Sequence, residues 1–237
     1  MLPLALLTLV CVVTYTFEIV FGIAGTIMML ALMSFFYDAR TLVIYSVLPQ
    51  ILVAAIGLVR SPKTVNVRFL AGMLAFALIG ALAGIYLFYY LSATVFQVLL
   101  ASAISASGLF LVLAPGRVRF GRAGARILDT LAGVSQALFG ISGPIAMTRL
   151  LATFDEKTIV RNYALAFFLA MNALRAVEYL VHGTYTAEIG WMMAVSGPFL
   201  AVTLWHANRL HFRVNEAQFR RVVAWIILAG GLSLFYR

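Results

Sequence analysis

The chain has 237 residues, of which 64% are hydrophobic and 11% charged, and its 17 Lys or Arg against 8 Asp or Glu give a formal net charge of +9. With a mean hydropathy of +1.03, it is too apolar to clothe a soluble domain, so the bilayer is the solvent for which it is built. The lone Cys11 excludes an internal disulfide, and no Cys/His cluster has metal-ligand spacing, so neither metal nor cofactor is expected.

The stretch Met1 to Val10 has no Lys or Arg ahead of it and no small-residue cleavage site, which makes it a first membrane segment and not a removable signal. Apolar segments then follow at 2–37, 41–59, 69–90, 95–113, 127–154, 162–181, 189–205 and 222–236. Most match the ~20 residues that cross a hydrocarbon core of ~30 Å. The first and the fifth do not, since 36 helical residues would reach about 54 Å. Both are interrupted by glycines, at Phe21-Gly22-Ile23-Ala24-Gly25 and Phe139-Gly140-Ile141-Ser142-Gly143.

An offset of 118 residues aligns 21–45 on 139–163 without gaps, with nine of 25 positions identical, so the chain reads as two copies of one unit, 1–116 and 117–237. One turn before each first glycine the copies place Glu18 and Gln136 in matched register, and such residues are rare in a lipid-facing span. If each long segment crossed once, the basic residues would divide nine to eight between the two sides. If each folds back at its glycines, the loops 60–68, 114–126, 149–161 and 206–221 share one side and hold 14 of the 17 basic residues. The second arrangement obeys the positive-inside rule. The expected fold is therefore all-α and polytopic: two repeats in inverted topology, each with a glycine-broken re-entrant helix pair and three full transmembrane helices, the basic loops cytoplasmic. Broken helices in inverted repeats are a secondary-transporter architecture, with the site between the two units. The charge of +9 is then explained by topology and calls for no nucleic-acid partner.

After each break a short helix is expected to begin, near Thr26 and at Pro144, and proline suits a first helical position. Free N–H groups and the helix dipole at such a terminus attract an anion. Two termini brought together would form a cationic cradle without any buried Lys or Arg, fitted to a compact oxyanion. The expected binding residues are Gly22, Ala24, Gly25, Thr26, Gln136, Gly140, Ser142, Gly143 and Pro144. The alternative role for the glycines is close helix packing. Glu18 is the coupling candidate, since burial in low dielectric favours the neutral form of a carboxyl group and lets it carry a proton. Its other reading is one interhelical hydrogen bond. Arg175, Glu178 and Asn172 fall towards the outer end of their span, where snorkelling or an ion pair explains them, and Arg149 either snorkels or lines the anion's exit.

These residues resemble the TauE/SafE sulfite exporter family of sulfur-anion transporters. The resemblance covers nearly the whole chain: the glycine break in a long first span, the basic loop from Arg60 to Arg68 followed by Phe69, the glycines Gly72, Gly80 and Gly84 of the third span, and Gly-x-Ser-Gly-Pro from Gly140 to Pro144. Similar proteins usually carry three glycines where this chain has Ala24-Gly25-Thr26. The resemblance implies movement of sulfite, sulfonates or related organosulfur anions across a bacterial inner membrane. A channel of the same fold is the nearest alternative. A rhomboid-like intramembrane serine protease is the more distant one, because Ser142 would need a histidine base and His182, His206 and His211 all lie in loops or at a span end. The expectation is thus a transporter and not an enzyme, with the oligomeric state left open.

Overall fold

A computed structural model of the chain describes residues 2–21, 24–59, 65–113, 119–207, 225, 227–232 and 234–236. Among these the helices are α1 (Leu2–Phe21), α2 (Gly25–Met33), α3 (Ala39–Tyr45), α4 (Val47–Val59), α5 (Val67–Tyr90), α6 (Ala93–Leu113), α7 (Arg122–Phe139), α8 (Gly143–Leu151), α9 (Lys157–Val181) and α10 (Ala187–Ala207), with no strand among the described residues. Residues 227–232 are helical as well, and Gly108 and Gly230 let them approach α6 and Ala31 of α2. Among the described residues six stretches are long and apolar enough to cross a membrane: Leu2–Val20, Ala39–Val59, Val67–Tyr90, Ala93–Phe110, Thr158–Val181 and Ala187–Ala207. Their outer faces carry exposed apolar side chains, such as Ile79 and Leu82 on α5 and Phe199 and Val202 on α10. Water would penalise such a surface, whereas lipid does not.

Local chemistry sets the helix ends. The Asp38 carboxylate accepts from the N–H groups of Arg40 and Thr41 to cap α3, and the Asn66 side chain does the same for Arg68 and Phe69 at the start of α5. Both overlong segments split. α1 stops at Phe21 and α2 begins at Gly25, with Ala24 between them in the left-handed conformation at φ 83°; α7 stops at Phe139, capped by left-handed Gly140 at φ 71°, and α8 begins at Gly143. Each short helix runs back along its longer partner. Gly25 lies against Thr14 and Glu18 of α1. Arg149 and Asp129 are each ten residues from Phe139 yet meet at 3.3 Å, which requires α8 to reverse along α7. Arg149 therefore pairs with Asp129 and lies over the Phe69 ring at 5.2 Å.

The halves exchange helices. α5 of the first half packs along α7 of the second, α10 of the second along α1 of the first, and α4 along α9. The α5–α7 seam is a close backbone contact: a Cβ at Gly80 would run into the Thr130 carbonyl, and one at Gly133 into that of Ala77. Small residues at such crossings let membrane helices gain dispersion and weak polar contacts that lipid cannot supply. One segment limit differs from expectation. α9 starts at Lys157 and not near 162, because Arg161 is drawn inside, donating to the Ile19 carbonyl of α1 at 2.8 Å, and only 152–156 remain between α8 and α9.

Candidate functional site

The two breaks meet. Glu18, Ala24, Thr26 and Ile27 from the first, and Gln136, Gly140, Ile141, Ser142 and Gly143 from the second, line one cavity of about 20 Å³, closed by Gln50 and Phe168. That is room for about one water molecule. Of the expected binding residues, Gly22 lies outside the described residues. Gly25 and Pro144 stand in the first turns of their helices without lining the cavity.

Hydrogen bonds organise this space into a continuous chain. The Thr26 N–H donates to Glu18 Oε2 at 2.9 Å, and the Thr26 hydroxyl lies 3.3 Å from the same oxygen. Gln50 Nε2 donates to Thr26 Oγ1 at 2.6 Å and to the Gly140 carbonyl at 2.8 Å, while its Oε1 accepts from Gln136 Nε2 at 2.8 Å. Gln136 Nε2 also reaches Asn172 Oδ1 at 3.2 Å, and Gln136 Oε1 accepts from the Ser142 hydroxyl at 2.6 Å. Asn172 Oδ1 finally accepts from Arg175 Nη1 at 3.1 Å. A buried carboxyl group on α1 is thus joined to a buried guanidinium on α9 through five neutral bridging contacts. All the side chains involved are buried, where a satisfied polar network is rigid and a broken one is costly.

Two features depart from the sequence-based expectation. Arg175, towards the outer end of its span, was expected to snorkel or to form an ion pair. Arg175 is instead 0% exposed, held by the Val43 carbonyl at 2.8 Å and the Tyr179 hydroxyl at 3.2 Å. Its position results from contacts with α3 and the end of α7, which span counting along α9 does not reveal. Glu178 faces His182 at 3.2 Å rather than Arg175. The second departure is at α2, whose first-turn N–H is already occupied by Glu18, so the two helix termini are unlike. Gln50 was overlooked, although the criterion that singled out Glu18 and Gln136, a polar residue inside an apolar run, applies to it equally.

The profile of the sulfite exporter TauE/SafE family matches residues 7–234. The chain belongs to that family. No curated protein and no solved structure is matched. With the six apolar stretches, membership in this transporter family makes the chain a multi-pass membrane protein. In this TauE/SafE protein the Ser142 hydroxyl is engaged by Gln136. His182 contacts the Glu178 carbonyl and His206 that of Val202, and His211 lies outside the described residues. Among the described residues no group of His, Cys, Asp and Glu could hold a metal ion.

Proposed function

We propose that this TauE/SafE protein is a secondary transporter that moves small sulfur-containing anions, such as sulfite, sulfonates or related organosulfur anions, across a bacterial inner membrane. The observation that carries the reading is the single cavity shared by the two helix breaks, lined by hydroxyl and amide groups and by the first turns of α2 and α8. Helix starts favour negative charge, and neutral donors let an oxyanion enter and leave without the deep trap that a ring of cations would make. The matched breaks and the exchange of α5 and α10 between halves support two inverted repeats, 1–116 and 117–237, rocking about the cavity. Gly22, Ala24, Gly25, Thr26, Gln136, Gly140, Ser142, Gly143 and Pro144 are the candidate anion-site residues in this reading, and Glu18 is the coupling candidate.

The test is flux. Protein reconstituted in liposomes is expected to accumulate sulfite or sulfoacetate against its concentration gradient, saturably, when a proton gradient is imposed. Absence of flux for every sulfur anion overturns the reading, and unsaturable, strictly downhill flux replaces the carrier with a channel. Topology has its own check on a Cys11→Ser background: cysteines near 63, 119 and 213 are expected to label from the cytoplasm and those near 39 and 184 from outside. Labelling of 119 and 213 from opposite sides would make the repeats parallel. Positions 63 and 213 lie outside the described residues.

A further inference from the structure

A guanidinium taken out of water needs a counter-charge or a full set of acceptors, because desolvating the ion is expensive. Arg175 has no carboxylate partner among the described residues: its acceptors are a carbonyl, an amide oxygen and a phenol, and its Nε is buried without any partner. Arg149, by comparison, has Asp129. Arg175 therefore brings a positive charge into the fold that the fold does not balance locally. Ionisable groups inside a membrane protein are retained for function more often than for packing.

Its location gives the charge a use. Gly140 is part of the cavity wall, and a Cβ placed there would lie 2.7 Å from Arg175 Nη1 and 3.2 Å from Nη2. The guanidinium thus packs against Gly140, whose backbone belongs to the cavity wall. On the same side, α8 begins with Gly143 and Pro144, and the helix itself leaves the Gly143 and Ile145 N–H groups without partners. The opposite side is different, since Glu18 already takes the Thr26 N–H of α2. The cavity thus has a carboxyl group in one wall and a guanidinium packed behind the other.

We propose that Arg175 is the substrate-binding cation of this protein: the oxyanion sits against the second break, between the Arg175 guanidinium behind Gly140 and the first turn of α8, which narrows the site proposed above to the residues of the second break. This rests on the anion-transport reading. Nη2 already donates to the Val43 carbonyl and the Tyr179 hydroxyl, so the guanidinium offers an oxyanion its charge and the one Nη1 hydrogen that Asn172 does not take.

The experiment is sulfite binding to purified protein, read from thermal stabilisation and titration, for the wild type, Arg175→Gln and Asn172→Asp. Asn172→Asp keeps the side-chain volume and gives the guanidinium a carboxylate beside Nη1. A purely structural arginine would be better satisfied by that change and sulfite binding would persist. As substrate cation, Arg175 is neutralised in advance, so binding is expected to fall about 10- to 100-fold while thermal stability without ligand is kept or raised. Arg175→Gln is expected to lose binding to the same degree. If it does not fold, Asn172→Asp decides alone. Wild-type affinity in a folded form of either variant overturns the role of Arg175 and leaves the transporter reading standing. If the wild type binds no sulfite but still transports another sulfur anion, the titration is repeated with that anion, and the same two variants decide. No binding or flux of any sulfur anion by the wild type overturns both.

Discussion

The two helix breaks share a sequence motif and differ in almost every contact that matters for an anion. At the first, the turn is made by left-handed Ala24, and Glu18 caps the new helix from within the protein. At the second, the turn is made by left-handed Gly140, the residue matched to Glu18 is the neutral Gln136, and the charge nearby is the guanidinium of Arg175. Arms differ too: α1 contains no basic residue, whereas α7 carries Arg122 and Arg126 and is tied to α8 by the Asp129–Arg149 pair. Two breaks with matched sequence motifs thus differ in the side chains around them, one meeting a carboxyl group and the other lying beside a guanidinium. A perfectly symmetric pair of termini would offer an anion two equivalent positions. In the proposed reading the asymmetry leaves one, with the Glu18 carboxyl group at the other end of the hydrogen-bond chain.

The largest expected effect lies in the first break. A Cβ at Gly25 would stand 2.5 Å from Glu18 Oε2 and 2.6 Å from the Thr14 carbonyl. Because one of these is backbone, the hairpin itself must open, at a cost of about 3 kcal/mol. Gly25→Leu is therefore expected to lower the yield of folded protein along with its flux. Size-exclusion profiles and thermal unfolding in detergent check this. A monodisperse, wild-type-stable Gly25→Leu would show that α2 does not press on α1 as the structure has it.

Next come two substitutions that exchange the chemistry of the breaks. Gln136→Glu places a carboxylate beside Ser142 and removes the amide donors to Gln50 and Asn172. Like charges about 4 Å apart repel by about 4 kcal/mol even at an effective dielectric constant of 20, so sulfite uptake should fall at least about tenfold. Glu18→Gln does the opposite, retaining an oxygen for the Thr26 N–H while removing the ionisable group. Folding and anion binding are expected to persist, and proton-driven accumulation to vanish. Uphill transport with unchanged pH dependence in Glu18→Gln would make Glu18 a structural cap.

The breaks themselves were legible because two apolar segments exceeded any bilayer and carried matched glycines, and Glu18 and Gln136 were legible as polar residues out of place. Arg175 was not. Its burial depends on the Val43 carbonyl, 132 residues away in sequence, and on the end of α7, and no periodicity along α9 encodes those contacts. The difference between the termini was hidden for a related reason. Glu18 and Thr26 are eight residues apart, and only the reversal of the chain at Ala24 converts that separation into a 2.9 Å hydrogen bond. The exchange of α5 and α10 between halves also has no local signal. Gly80 and Gly84 were noticeable as family-like glycines, and only the fold shows that the backbone they admit is α7.

The smallest expected effect is a change of sign between matched positions. Ala24 and Ser142 align in the duplication, yet Ala24 sits at φ 83° while Ser142 sits at φ −119°. A left-handed conformation costs an L-residue about 1–2 kcal/mol, and glycine adopts it without that penalty while losing about 0.5–1 kcal/mol more conformational entropy on folding. Ala24→Gly is therefore expected to stabilise the protein by about 0.5–1 kcal/mol. At Ser142 there is no such strain to release, and the substitution deletes the hydroxyl that satisfies Gln136 Oε1. Ser142→Gly should destabilise by about 1 kcal/mol from the lost hydrogen bond, with added backbone entropy in the same direction. Thermal unfolding of both variants in one detergent measures the pair. Opposite shifts support two different turns built on one repeated motif, and equal shifts of the same sign would mean that the breaks share one backbone conformation after all.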